Sequence, residues 1–483
     1  MITGENSIIK MSEKARNETE ITTEKEKIIL ACTEANMLRN GIEMNSDKLL
    51  YALNSNNIYT KNVYGNDKIG FCIILENKRI YELEKNGTIE FKGINIETPN
   101  NIPIMISGDG LRSLIQKKYK EKIVKIEIKP YITKLENIVD KVDVSKNKDK
   151  SVISYIILNE NKEYELYIMG NGMIQISDAT RLFQDFSSVK EIKLQGLDTT
   201  NTISMQSMFY NCNNLIDLNL ANINTNEVTT MQLMFYKCSN LKSLDLSNFD
   251  TSKVENMSSM FDSCKSLENI KLNSFDTTQV DDMSAMFINC SNLKNLNLSN
   301  FNMEHVKKCF SMFAHCVKLE NITIDKNKFR TSRVTRMERM FWNCYMIKEI
   351  NLNGFYTKNV TSMLDVFNGC KNLRSLDISN FDISYVQSMK CMFYNCSNLV
   401  DLDLNNFNPD SASDMENMFG ANALNNFNED ALNQVMYMCS KAQVLDKNNK
   451  NLKYLGITYE KALQLQKLEN YIFLKNSGWR TGY

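Results

Sequence analysis

Apolar residues recur with a period of 26 residues through the middle of the chain, and a phenylalanine marks each period. Every step between successive marking phenylalanines is 26 residues, except for one step of 28. A fixed period of this length predicts a repeat protein, because each unit can bury its apolar side only against its neighbours. The phenylalanines are Phe183, Phe209, Phe235, Phe261, Phe287, Phe313, Phe341, Phe367, Phe393 and Phe419.

The pattern inside one unit, residues 257–282, predicts its elements. An alternating apolar pattern at 267–272 predicts a short strand, and a turn follows it. An i, i+3, i+4, i+7 spacing predicts one apolar face of a short helix, at Met257, Met260, Phe261 and Cys264. The predicted fold is therefore α/β, a solenoid of about nine to ten strand-turn-helix units over residues 183–422.

The cysteines follow the same period. Eight of the thirteen cysteines come three residues after a marking phenylalanine, and the chain contains no CxxC pair. One interpretation is metal or redox chemistry, which requires thiols that converge on a point. The other is a column of small buried side chains, which one thiol per unit favours. We assign these residues to the core with the phenylalanines: Cys212, Cys238, Cys264, Cys290, Cys316, Cys344, Cys370 and Cys396.

Polar residues alternate with the apolar residues of the predicted strands and should form an exposed sheet face. This face is small, polar and mildly acidic, and it lacks Trp, Tyr and Arg, the usual hot-spot residues. It suits a broad, multivalent contact, although its residues could equally serve only solubility. Aromatic residues on the helix flanks (Tyr210, Tyr236, Trp342, Tyr394) offer a second contact surface. The candidate binding face comprises Ser243, Asp245, Ser247, Asn269, Lys271, Asn295, Asn297, Asn351, Asp377, Asp401 and Asp403.

Composition gives no indication of catalysis. The 57 Lys and Arg residues balance 57 Asp and Glu residues, which argues against a nucleic-acid-binding protein. The two histidines, His305 and His315, have no motif partner, and no P-loop, GxGxxG, HExxH or GxSxG motif occurs. We therefore expect a protein that is not an enzyme, with no catalytic residue, cofactor or metal ligand. No apolar run approaches the ~20 residues that a membrane helix needs.

The unit at 257–282, MSSMFDSCKSLENIKLNSFDTTQVDD, and the neighbouring LDLSNFDTSKVENM at 244–257 resemble the BspA-like leucine-rich repeats of bacterial surface proteins. The same 26-residue repeat is found in mycoplasma surface lipoproteins. The resemblance covers about 183–420, roughly half of the chain. It implies an extracellular adhesion or interaction protein with a protein or glycan partner of unknown identity.

The flanks of the repeats are predicted to be caps. Residues 152–168 have the alternating pattern of a β-hairpin, within an N-terminal cap at 151–182. A helical C-terminal cap is predicted at 423–483, with helical spacing at 430–440 and 459–471. The ending 477–483 resembles the closing segment that follows such arrays.

Residues 1–109 are predicted to form a small α+β domain. It has a long charged helix at 7–38, a short helix at 47–53 and a small antiparallel sheet at 69–91. The segment TGENSIIKMSEKARNETE, at 3–20, resembles the ectodomain of Gram-positive prepilin-like proteins. That resemblance implies a preceding membrane helix, so we expect the anchor to be missing from this chain. The alternative is an unrelated charged helix that packs on a small sheet.

Residues 110–150 are predicted to be a linker and junction. Within them, residues 111–134 contain eight Lys and Arg against two Glu, which suggests either a phosphate or membrane-surface site or a solvated helix and strand.

The expected function is a non-catalytic surface interaction or adhesion protein of a bacterium. We expect it to be extracellular or at the cell surface, or cytoplasmic if the first residue is the genuine start. The rivals are a minor pilin-like subunit that displays the solenoid and an intracellular repeat scaffold. We expect no nucleic-acid partner, and we expect contact with a membrane only through the missing anchor.

Overall fold

The computed structural model is a mixed α/β structure with short strands and few helices. It describes residues 3–37, 46–66, 70–84, 88–94, 103–404, 407–420, 423–441, 454–456, 463–468, 471 and 480–482. Among these residues, no helix is long and apolar enough to cross a membrane.

The N-terminal part packs two helices against an antiparallel sheet. The helices are α1 (Thr3–Met37) and α2 (Ser46–Ser55), and the strands pair in the order β1 (Thr60–Asn66), β2 (Gly70–Leu75), β3 (Arg79–Leu83) and β4 (Ile89–Ile94). Ile28 of α1 is fully buried in a small core with residues of α2 and the sheet. The guanidinium of Arg79 lies 2.8 Å from carboxylate oxygens of both Glu20 and Glu24, which ties α1 to β3.

A six-stranded sheet follows, and it includes the segment that was predicted to be a linker. After α3 (Gly108–Leu114) and α4 (Lys117–Lys120) come β5 (Ile123–Lys129), β6 (Ile138–Asp143), β7 (Val152–Leu158), β8 (Tyr164–Gly170), β9 (Ile174–Gln175), β10 (Glu191–Lys193), β11 (Leu197–Asp198) and β12 (Asp217–Leu218). The sheet order is β12-β10-β5-β8-β7-β6. The predicted hairpin β7–β8 is present, but β5 lies between it and β10.

The linker prediction overlooked burial on one side of β5. Ile126 and Ile128 are fully buried in the main core, while Lys125, Glu127 and Lys129 alternate with them. A strand in which charged and apolar residues alternate is expected at the solvated edge of a sheet. Strand β5 instead lies inside the sheet, between β10 and β8. Tyr131, just after β5, donates a 2.6 Å hydrogen bond to Glu82 of β3, which joins the sheet to the N-terminal part.

Residues 177–420, which we call the repeat stack, consist of units joined side by side. Their further strands are β13 (Ser243–Asp245), β14 (Asn269–Lys271), β15 (Asn295–Leu298), β16 (Asn321–Ile324), β17 (Ser375–Leu376) and β18 (Asp401–Leu402). These strands pair in parallel between residues 26 apart, as in Ser243 with Asn269 and Asn295 with Asn321. Isolated bridges repeat the same offset elsewhere in the unit, as in Thr230 with Asn256.

The helix that was predicted in each unit is wrong. In 257–264 the Met260 N–H donates to the Met257 carbonyl (3.2 Å), three rather than four residues back. Alternate N–H groups donate to the next unit instead, as from Phe261 to Met286 (2.9 Å). Ser259 and Ser263 have φ of 53° and 61°, in the left-handed region, so a right-handed helix cannot continue through them. Each unit is a strand followed by a ribbon of successive turns.

This ribbon still buries the residues that suggested a helix. All ten marking phenylalanines and all eight assigned cysteines are at most 1% exposed. The phenylalanine rings of successive units lie with centroids 5.3–6.0 Å apart from Phe183 to Phe419. An apolar i, i+3, i+4, i+7 pattern therefore arises here from turns that point every marked residue inward.

Helix α5 (Glu429–Lys441) follows the last unit and covers its core. Leu432 and Val435 are fully buried in the main core. The Gln434 side chain accepts a hydrogen bond from the Leu404 N–H (3.2 Å), which occupies a donor at the end of the stack. Strands β19 (Tyr454–Gly456) and β20 (Arg480–Gly482) pair in parallel beyond it. Of the helix predicted at 459–471, residues 463–465 are helical, and Leu465 is fully buried in the main core. Residues 459–462, 469–470 and most of the closing segment lie outside the described residues.

Candidate interaction surface

The polar strand residues of successive units lie side by side on an exposed face. Register places Asp245 beside Lys271, whose Nζ is 2.7 Å from the Asp245 carboxylate. Asn321 donates to the Asn295 side chain across the next pair (2.7 Å). The exposed candidates are Ser243, Asp245, Ser247, Asn269, Lys271, Asn295, Asn297, Asn351, Asp377 and Asp403. Asp401 is paired in β18, and its side chain lies outside the described residues.

Several of these candidates also shape the backbone. The Asp245 carboxylate accepts from the Ser247 N–H at 3.0 Å, and the residue pairs Asn297–Ser299, Asn351–Asn353 and Asp377–Ser379 repeat this contact at 3.0, 3.1 and 3.0 Å. Such contacts form Asx turns, which end the strand. Asp and Asn at this position thus have a structural role that the sequence interpretation did not include.

Two carboxylates on this face, those of Asp245 and Asp377, are stabilised in their charged form. Hydrogen bonds from Lys271 and then Ser247 lower the pKa of Asp245 to about 2. Hydrogen bonds from Ser379 lower the pKa of Asp377. These two carboxylates are therefore charged at neutral pH.

The cysteine column is part of the interior. Each of the eight thiols donates to the carbonyl of a phenylalanine in the preceding unit, at 3.0–3.2 Å, as from Cys290 to Phe261. Burial raises the pKa of the Cys316 and Cys396 thiols to about 12, so neither is a thiolate at neutral pH. Over the ranges that the structure describes, no group of three or more His, Cys, Asp or Glu could hold a metal ion. This geometry favours the core interpretation.

The aromatic residues that were assigned to helix flanks lie on the turn ribbon instead, because there are no helices in these units. Tyr210 and Tyr236 stack with their ring centroids 4.5 Å apart. Trp342 meets His315 edge to face at 4.4 Å. Tyr394, like the other three, is half-buried. These rings are fixed to neighbouring units, and only part of each is available to a partner.

Three of the eight basic residues at 111–134 contact acidic side chains. Lys125 and Lys129 lie 3.1 and 3.2 Å from the Glu127 carboxylate. Arg112 lies 2.8 Å from Asp185. These contacts favour a structural role over the phosphate or membrane-surface site that the charge count also allowed.

A stronger basic surface was missed in the sequence. Residues 304–339 contain nine Lys and Arg against four Asp and Glu, whereas 245–282 contain three against eight. The zero net charge of the whole chain conceals this segregation. A charge count over each unit would have found it. We call six of its exposed members the basic band: Lys307, Lys308, Arg330, Arg333, Arg336 and Arg339.

Comparison with known proteins places the repeats in a family. The family described as "Mycoplasma protein of unknown function, DUF285" matches residues 177–271, 267–373 and 345–454, which together span more than half of the chain. This chain belongs to that family. The family's mycoplasma-type repeat suggests a surface protein. No curated protein matches the chain.

Two solved structures are similar to the repeat region. One is a leucine-rich repeat protein from Eubacterium ventriosum, which is 13% identical in sequence. The match covers 59% of this chain and 88% of that chain, with a TM-score of 0.30. The other is the TLR13–ssRNA13 complex, 14% identical, which covers 53% of this chain and 46% of that chain with a TM-score of 0.17.

Proposed function

We propose that this chain is a non-catalytic interaction or adhesion protein of a bacterial cell surface, whose units form a solenoid of about nine to ten repeats. The observation that carries the proposal is the exposed strand face. It presents equivalent polar positions in successive units, while the phenylalanines, methionines and most thiols of those units are occupied in the core.

The spacing of that face suits a multivalent contact. Hydrogen-bonded parallel strands lie about 4.8 Å apart, so Ser243 lies beside Asn269, and Asn295 beside Asn321, at this short interval. A partner with repeated groups, such as a glycan chain or an extended protein segment, can contact several units at once. Individually weak contacts then add to a useful affinity.

Two rival functions keep specific support. The 35-residue helix α1, followed by a small antiparallel sheet, is the feature that a minor pilin-like subunit would share. Thirteen cysteines without a disulfide would suit an intracellular scaffold. In either case the strand face would bind a protein, but its location would differ.

The first test is protease shaving of intact native cells, with antibody detection of this chain and of a cytosolic control. Loss of this chain while the control survives is the expected result. Protection until lysis would contradict the surface proposal and favour the scaffold.

The second test addresses the face itself. The full-length chain is screened against host proteins and glycans, and each binder is tested against Asn269→Lys/Asn295→Lys. The matched control is Asn226→Lys/Gln279→Lys, which changes exposed residues away from the strands. Loss of binding only in the first variant is expected. Equal binding by both variants would show that the strand face is not the contact surface.

A further inference from the structure

The repeat stack has one irregular unit, which begins after β16. The series of bridges that reaches Arg336 from the preceding units resumes only at Ser362 in the described residues. The two extra residues of this unit are accommodated at 325–329, where the Asp325 carbonyl accepts from both Lys328 (3.0 Å) and Phe329 (2.8 Å). Gly354 passes so close that a Cβ there would lie 2.0 Å from the Phe329 carbonyl oxygen. The backbone of this unit therefore differs from that of its neighbours, and the inserted residues and Gly354 accommodate the difference.

The same unit and its predecessor carry the basic band. On either side the sign reverses: 245–282 contain eight acidic against three basic residues, and 349–416 contain nine against four. The positive surface is thus short along the stack and bounded by negative surface at both ends.

Aromatic rings hold three of the arginines. The guanidinium carbon of Arg330 lies 5.4 Å from the ring centroid of Tyr356. The equivalent distances are 4.7 Å from Arg336 to Phe310 and 5.2 Å from Arg339 to Trp342. A guanidinium that rests on a ring keeps its N–H edges for an oxyanion, and less side-chain entropy is lost when one binds.

The acids beside the band do not cancel it. Lys307 and Lys308 pair with Asp281 and Asp282 at 3.4 Å. Arg336 and Arg339 lie 3.2 Å from Glu338 and Asp365. These four bases are at least 46% exposed, so each remains open to water and to a ligand, although three of their partners, Asp282, Glu338 and Asp365, are only 11–17% exposed. Within the described ranges, Arg330 and Arg333 form no salt bridge.

We propose that the basic band binds a sulfated polysaccharide. This inference rests on the proposed function, because such a polymer is met outside the cell. Four arginines at intervals of three residues (330, 333, 336, 339) follow one unit, and two lysines extend the band to the preceding unit. That arrangement offers a row of sites to sulfate groups along a chain, and guanidinium geometry matches the oxygen pairs of a sulfate.

A nucleic acid fits the band less well. The rings that could stack on bases are already covered by arginines, and stacking supplies much of the affinity for single strands. The acidic surfaces at both ends repel a long, uniformly charged backbone. A flexible polysaccharide can instead place a short, highly sulfated stretch on the band.

The test measures binding of the full-length chain to immobilised heparin, a highly sulfated probe, by surface plasmon resonance over a series of salt concentrations. The variant is Arg330→Gln/Arg333→Gln/Arg336→Gln. Its control, Lys242→Gln/Lys265→Gln/Lys294→Gln, removes the same charge from exposed lysines outside the band. We expect the variant to lose about tenfold or more in affinity and the salt slope to fall by about two to three, with the control close to wild type.

A second variant, Arg330→Lys/Arg333→Lys/Arg336→Lys, preserves charge and guards against misfolding as the cause of a loss. It should bind heparin between the wild type and the glutamine variant. Desulfated heparin and a single-stranded DNA of equal charge serve as competitors. Equal heparin binding by wild type and the glutamine variant, or stronger competition by the DNA than by heparin, would overturn the proposal. Surface exposure on cells without heparin binding would remove this inference alone, whereas protection on intact cells would remove the proposed function.

Discussion

The six-stranded sheet and the repeat stack satisfy their buried polar groups in different ways. In the sheet, the 5% exposed Glu127 lies between Lys125 and Lys129 at 3.1 and 3.2 Å. Burial alone would raise the pKa of Glu127, but the two lysines outweigh it and the pKa is lowered. In the described part of the repeat stack, the buried polar side chains are Thr and Ser, with Asp365 as the one charged exception.

The repeat stack relies on one contact that is made again in successive units. Thr277 Oγ1 donates to the Asn302 carbonyl (2.9 Å) and accepts from the Asn302 N–H (2.7 Å). Thr251 makes the equivalent pair of contacts with Asp276. The charged cluster of the sheet is interdependent, because removal of one member leaves the others buried without a partner. The threonine contacts are modular, because each joins only two neighbouring units.

The largest effect that we predict in the repeat stack is that of Phe287→Ala. The change removes a fully buried ring from the column and leaves a cavity, at an expected cost of about 3–5 kcal/mol of the free energy of unfolding. Urea denaturation measures the loss, and Phe287→Leu should lose less. Hydrogen exchange should rise in the units around 257–316 and stay unchanged in β5 and β8. A uniform rise across both regions would show that the stack is not modular.

Glu127→Gln should cost slightly less, about 3 kcal/mol, because both lysines are partly exposed and retain some water. The decisive measurement is the double variant Glu127→Gln/Lys129→Met under the same urea conditions. It should be more stable than the single variant, since it removes one of the unpaired charges. Simple additivity of the two changes would contradict the interdependence of this cluster.

The period of 26 residues is sufficient to place Phe287 inside and Asn269 outside, because stacked units repeat every environment. The same period could not distinguish a helix from a ribbon of turns, since both bury Met257 and Phe261 at the same spacing. The decisive feature is the left-handed backbone at Ser259 and Ser263, and serine is not a residue that marks it. The burial of strand β5 was missed because its charged residues neutralise one another within the strand, while the strands that cover it, β8 and β10, are distant in sequence.

The candidate binding face, too, could be predicted from the sequence only in part. The alternation of polar and apolar residues in the strands predicts that the side chains of Asp245 and Asn297 point outward. It gives no sign that their side chains end the strand by binding the backbone two residues later. The net charge of the whole chain did not indicate the basic band, because acidic units elsewhere in the chain balance its charge.

A smaller effect tests the repeated threonine contact. Thr277→Val keeps the shape of the side chain but leaves the Asn302 N–H and carbonyl without their partner, so we expect a loss of about 1–3 kcal/mol. Thr278→Val is the matched control, since that neighbouring side chain is partly exposed, and should change stability by no more than about 0.5 kcal/mol. Both are measured by urea denaturation. Equal losses would show that the hydroxyl contact does not join the units.

The smallest effect concerns pH and the outer face. The pKa of Asp245 is lowered to about 2 in the folded chain, chiefly by the Lys271 hydrogen bond. Because the folded pKa lies below the unfolded value of about 3.9, the stabilisation is complete above pH 4 and is lost as the pH falls towards 2. The Asp245 side chain is 52% exposed, so the contribution should be at most about 1 kcal/mol. Carbon-13 NMR titration should show the pKa of Asp245 rising in Lys271→Met while that of Asp377, whose hydrogen bonds come from Ser379, stays unchanged. Unchanged titration of both carboxylates would show that the lysine contact is absent in solution and that the Asx turn alone sets the pKa.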